Sequence, residues 1–130
     1  FADSRDRVFA IRPSYDSVER LSAVRAAVGC PWIRIGLDPA AMLMSGINPL
    51  ATMQQMGQQV SLVHIRDGVP GHPDHPGQET RLGEGEVDLR GLLASLNDWE
   101  YSGPLILRRT DSASPALDLA AAREFLRRIL

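Results

Sequence analysis

Short continuous apolar runs alternate along this chain with longer stretches in which apolar residues recur every three or four positions. The runs are VFAIR (residues 8–12), WIRIGLD (32–38), VSLVHIRD (60–67) and PLILR (104–108). Each predicts a strand, and VSLVHIRD, with three apolar residues and a serine leading into His-x-Arg-Asp, predicts one buried on both faces. The stretches between them predict helices. Ser14 or Asp16 can cap the first, with Glu19 three residues after Asp16, Val18, Leu21, Val24 and Val28 on its apolar face, and Gly29 at its end. Pro39 stops the second strand because proline lacks the ladder donor, and AAMLMSGIN (40–48) is expected as a loop with at most a short helical turn. Asn48 caps a helix over residues 49–56 that buries Leu50, Met53 and Met56; methionines at this spacing are core rather than a cofactor stripe. Asp88 caps residues 89–99, with Leu92, Leu93 and Leu96 on one face. The last helix, residues 117–130, turns Ala122, Phe125, Leu126 and Ile129 inward and carries Arg123, Arg127 and Arg128 toward its C-terminal end, where cations suit the dipole.

The order is β-α four times over, which predicts an α/β fold with a parallel sheet and right-handed crossovers. Residues 1–130 are then one domain, a (β/α)4 unit equal to half of an eight-stranded barrel. Four such units leave two open sheet edges, which closing a barrel would remove. A missing N-terminal half or a second copy of the chain is the expected partner. In such sheets the C-terminal strand ends carry the chemistry. The four strands end in Arg12, Asp38, His64 and Arg108, so these residues are expected to form one cluster.

Residues 68–88, GVPGHPDHPGQETRLGEGEVD, hold three prolines and five glycines, a long connection for a compact domain. His72 and His75 flank Asp74 and invite a metal reading, but nothing in the sequence orders them, and a solvated, flexible loop is expected. Asp67 is expected to end its strand as a turn residue.

Composition narrows the picture by exclusion. At 44% hydrophobic and 23% charged the chain is an ordinary globular one, and a net charge of −2 leaves no basic footprint for nucleic acid. A single cysteine, Cys30, excludes a disulfide framework and a multi-cysteine zinc site. No apolar run approaches the ~20 residues of a membrane span. The polar opening FADSRDR is unlike a signal peptide, so a cytoplasmic location is expected; the first residue is Phe rather than Met, so an upstream segment is expected.

Four blocks in order, GLDPAAMLMSGINP, VHIRDG, RLGEGEVDLRGLLASL and YSGPLILR, resemble the C-terminal half of the sugar-phosphate isomerase/epimerase family, the xylose isomerase-like TIM barrels. LGEGEVD, between the His-x-basic-Asp strand and an amphipathic helix, is the most specific. The resemblance implies a substrate that is a sugar or sugar phosphate and a divalent metal such as Mn, Mg or Zn. That metal would be held by Glu, Asp, His and Glu at the last four strand ends, the two glutamates doubling as the acid/base pair. Carried over by position, the aspartate is Asp38 and the histidine is His64. The two glutamate positions read Arg12, in AIRP, and Arg108, in LRR, and the family's substrate-contacting histidine position reads Ala41.

These departures change the chemistry. Guanidinium has no lone pair for a metal and does not titrate near neutral pH, so it serves neither as ligand nor as base. A unit-charge repulsion at ~4 Å is worth roughly 4 kcal/mol at an effective dielectric of ~20. No metal is expected at the family position and no cofactor is predicted. Three readings stay open: Arg12, Asp38 and Arg108 as ion pairs that only fill the mouth; the arginines as a pocket for phosphate or carboxylate; or a shifted register, with an active isomerase or epimerase drawing a carboxylate from Glu84 or Glu86 on the long loop or from the missing half.

Overall fold

The computed structural model describes residues 7–12 and 18–130. Its elements are β1 (Phe9–Ile11), α1 (Val18–Val28), β2 (Ile33–Leu37), α2 (Pro39–Met44), α3 (Pro49–Met56), β3 (Val60–Ile65), β4 (Asp67–Val69), β5 (Gln78–Thr80), α4 (Leu89–Asp98), β6 (Leu105–Leu107) and α5 (Pro115–Ile129). β1, β2, β3 and β6 form one all-parallel sheet in that order. The strand–helix alternation thus gives the expected half barrel. The predicted cap residues Ser14 and Asp16 lie outside the described residues.

One face of the sheet packs on the helices. Ile35, Leu37, Val63 and Ile65 meet Met53, Met56, Leu92, Leu96 and Leu126 in a single buried cluster. Burying such side chains stabilises by about 1.5–3 kcal/mol each, so this layer is what holds the sheet. The methionines are core, as their spacing required. The opposite face is less covered: in β3, Leu62 and His64 are only half-buried, so that strand is not enclosed on both sides as its apolar run suggested. The first helix also departs from expectation. Leu21 packs against the core, but Val24 and Val28 are more than half exposed.

Two further corrections bear on the site. Residues 40–48 are not mainly a loop. Asp38 and Pro39 start a helix, with the Asp38 carboxylate accepting the Ala41 N–H at 3.0 Å and Pro39 in the first turn. An acidic cap followed by a proline that needs no N–H is a helix start as well as a strand stop. Likewise α5 begins at Pro115 rather than residue 117.

The long connection is also not a slack loop. β4 and β5 pair antiparallel, with Gly68 opposite Glu79, and His72 and His75 exchange both backbone hydrogen bonds at 2.8 and 3.1 Å around a two-residue turn. Gly77 lets this hairpin lie on α2, since a Cβ there would sit 2.6 Å from the Met44 Cα and carbonyl oxygen. Asp67 organises the rest. It is 1% exposed and accepts the N–H groups of Gly68, Gly83, Gly85 and Val87 at 2.8–3.1 Å. A side chain at position 85 would collide with that carboxylate at 2.3 Å.

Candidate active-site mouth

Sheet register sets which side chains meet. Ala10 lies beside Arg34, Gly36 beside Leu62 and His64 beside Ile106. Partners in a parallel ladder share a face and successive side chains alternate, so Arg12, Asp38, His64 and Arg108 fall on the face away from the helices. The β3–β6 ladder extends to Arg108, whose N–H donates to the Ile65 carbonyl at 3.3 Å.

Asp38 is the hub. It is fully buried; one oxygen caps α2, and the other accepts from Arg12 Nη1 at 3.1 Å and Arg66 Nη1 at 3.3 Å. Arg66 was missing from the expected cluster, although it stands two positions after His64 and therefore on the same face. Its Nε lies 3.0 Å from Glu79 Oε1, a close ion contact whose angle is too poor for a hydrogen bond.

Glu79, on β5, was not anticipated at all. Its other oxygen accepts from the Thr110 hydroxyl, from the Thr110 and Asp111 N–H groups, and lies 3.3 Å from Arg109. Burial alone would raise the Glu79 pKa, but these hydrogen bonds and Arg66 hold its carboxyl below the usual range. Arg109 passes the chain on to Asp118, which also takes Ser112 and Arg81. Alternating charges therefore run from Arg12 to the start of α5 and tie the hairpin to the β6–α5 loop.

His64 sits among these charges. Burial lowers its pKa, Asp38 opposes that, and Arg108, Arg12 and Arg66 lower it further. The net shift is downward, so the ring is neutral at pH 7. Its buried Nδ1 has no hydrogen-bond partner among the described residues.

Arg12, Arg66 and Arg108 line one cavity of about 650 Å³, walled by α2 residues Ala41 and Ser45 and by the hairpin tip with His72 and His75. Arg12 and Arg66 are paired to Asp38. The half-buried Arg108 guanidinium has no ion pair or hydrogen bond among the described residues. At the Ala41 position only a methyl group is offered. Glu84 and Glu86 are exposed, and neither lines this cavity. A separate cavity of about 350 Å³, lined largely by apolar residues such as Leu43, Ile47 and Leu50, contains none of the strand-tip residues. No three His, Cys, Asp or Glu side chains gather as a metal-binding group among the described residues. No helix there is long and apolar enough to cross a membrane.

Comparison with known proteins agrees with this architecture. A xylose isomerase domain protein from Planctomyces limnophilus superposes with a TM-score of 0.90 at 27% identity, over 98% of this chain and 48% of that one. A D-tagatose 3-epimerase-like protein follows at TM-score 0.79 and 16% identity, over 98% and 48% of the two chains. Mannonate dehydratase from Streptococcus suis serotype 2 gives 0.78 and 15%, over 98% and 44%. At those identities the last two speak for the fold alone. The chain spans about half the length of these solved structures. No curated protein matches the sequence. Residues 8–129 match the family described as a xylose isomerase-like TIM barrel, and the chain belongs to that family.

Proposed function

We propose that this chain is the C-terminal half of a barrel whose metal-binding mouth has become an oxyanion pocket. It holds the phosphate or carboxylate of a sugar phosphate or sugar acid and does not run the family's metal-dependent proton transfer. The observation that carries the reading is Arg108, a half-buried cation with no ion pair among the described residues, which lines the same cavity as Arg12 and Arg66. If the arginines only plugged the mouth, each would have its own acid. Arg12 and Arg66 both lie on Asp38, Arg66 also has Glu79 at 3.0 Å, and Arg108 has no acid among the described residues. A planar guanidinium offers two parallel donors to an oxyanion, and such charge-assisted bonds are worth about 1.5–3 kcal/mol.

The donor set does not fit a divalent ion. Asp38 has one oxygen on the α2 cap and the other on two guanidiniums. His64 adds one imidazole, and the two glutamate positions of the family offer no lone pair. Arg12 and Arg108 cannot accept a proton from substrate carbon either. His64 does not line the arginine cavity and is not counted among the donors to the anion.

Isothermal titration with inorganic phosphate and with a panel of sugar phosphates and sugar acids tests this. Saturable binding is expected, with Arg108→Ala weakening it at least about tenfold while stability moves by no more than about 0.5 kcal/mol, since no internal partner is orphaned. Stoichiometric Mn, Mg or Zn lost on substituting His64, or isomerase turnover by the full-length protein, would instead favour an active enzyme of the epimerase kind seen among its structural neighbours.

We infer also that four further βα units close the barrel, on the same polypeptide or on a second copy. Among the described residues nothing pairs with either sheet edge, and Phe9 on β1 and Ile106 on β6 are 62% and 40% exposed. The 130-residue chain alone is expected to self-associate in velocity sedimentation. A folded monomer at micromolar concentration would reject pairing between copies.

A further inference from the structure

We propose that His72 and His75 form a chelating site for a transition-metal ion at the tip of the β4–β5 hairpin, distinct from the family metal position at Asp38 and His64. The two residues are directly opposed in an antiparallel bridge and exchange N–H···O bonds at 2.8 and 3.1 Å. Opposed residues of such a pair put their side chains on the same side. Only Pro73 and Asp74 separate them, and Pro73 fixes its own φ, which stiffens the turn. The ring centres are 5.0 Å apart with planes at 71°.

That spacing suits chelation. With a metal–nitrogen distance of about 2.0–2.1 Å and ~1.2 Å more to the ring centre, two imidazoles on a tetrahedral ion have centres roughly 5.2 Å apart. The ion would be met with little rearrangement of the backbone, and preorganisation of this kind lowers the ordering cost of binding.

The electrostatics also differ from the arginine pocket. His72 and His75 wall the arginine cavity and also line a second cavity of about 480 Å³ whose other polar lining residues are Gln78 and Glu86, with no arginine, and the ion is placed on that second side. No third metal-binding side chain is already assembled with them. The pair is therefore the fixed nucleus of the site, and Glu86, exposed and free to turn, supplies the compensating carboxylate, with water in the remaining position. Imidazole with one carboxylate favours Zn, Ni or Cu over Mg or Ca.

The test is titration of the full chain with zinc or nickel chloride, read by calorimetry and by competition with a chromogenic chelator. One equivalent is expected to bind, tenfold or more weaker in His72→Ala and in His75→Ala, and unchanged in His64→Ala. Glu86→Gln is expected to weaken it by a smaller factor. Circular dichroism of each variant checks that the fold is kept, and His72→Asn with His75→Asn provides a second pair that preserves side-chain polarity. Absence of saturable zinc or nickel binding, binding that survives loss of both histidines, or binding abolished by His64→Ala would overturn the proposal.

Discussion

Replacing Asp38 by alanine is expected to destabilise the chain by about 3–5 kcal/mol, the range for orphaning members of a buried ion set. Three losses coincide at this one carboxylate: the cap on α2, the pair with Arg12 and the pair with Arg66. They are not equal. Arg12 has 39% of its side chain exposed, so water can take over its solvation and its share is the small one expected of a surface pair. Arg66 is 8% exposed and would be left with only the misaligned contact to Glu79. Asp38→Asn separates the contributions, because asparagine caps a helix as well as aspartate does but carries no charge. Denaturant unfolding should therefore rank wild type above Asp38→Asn and that above Asp38→Ala. The same asparagine variant probes the pocket. Releasing Arg12 and Arg66 from their internal acid should tighten phosphate binding, and unchanged affinity alongside a large stability loss would assign the arginines to structure alone.

Asp67→Ala is expected to cost at least about 3 kcal/mol, because it removes the acceptor of four backbone donors, and each buried donor left unpaired costs about 1–3 kcal/mol before water enters. One oxygen serves Gly68 and Val87, the other Gly83 and Gly85. Asparagine cannot substitute, since in either orientation its NH2 would face two N–H groups. Amide hydrogen exchange gives a local readout. Gly83, Gly85 and Val87 should lose protection in Asp67→Ala while the amides of β2 and β3 keep theirs. Retained protection at those three positions would mean that the segment is ordered by its packing, not by this carboxylate.

How much of this was legible beforehand follows the range of each interaction. The strand–helix alternation and the core methionines rest on local periodicity, which a sequence displays directly. The four strand-end residues could be named because a strand's direction and parity are local too. Arg66 obeys the same parity and could have been added. The start of α2 was also readable, since Asp38-Pro39 repeats the polar-residue-then-proline pattern recognised at Asn48-Pro49. The order within residues 68–88 was not readable. Asp67 binds backbone groups up to 20 positions away, and a backbone N–H leaves no residue-type signature. Glu79 is equally hidden, as its partners Thr110 and Asp111 are 31 and 32 positions distant. The exposure of Val24 and Val28 marks the opposite limit: periodicity announces an apolar stripe but not whether this chain supplies the surface that covers it.

The aspartate at the tip of β2 serves two masters, a helix and a pair of guanidiniums, and neither needs a metal. A lineage that abandoned the ion would still be obliged to keep this acid for architecture alone. The presence of this acid alone is therefore no sign of catalysis; the neighbouring strand tips, which read Arg12 and Arg108 in this chain, are the positions to consult.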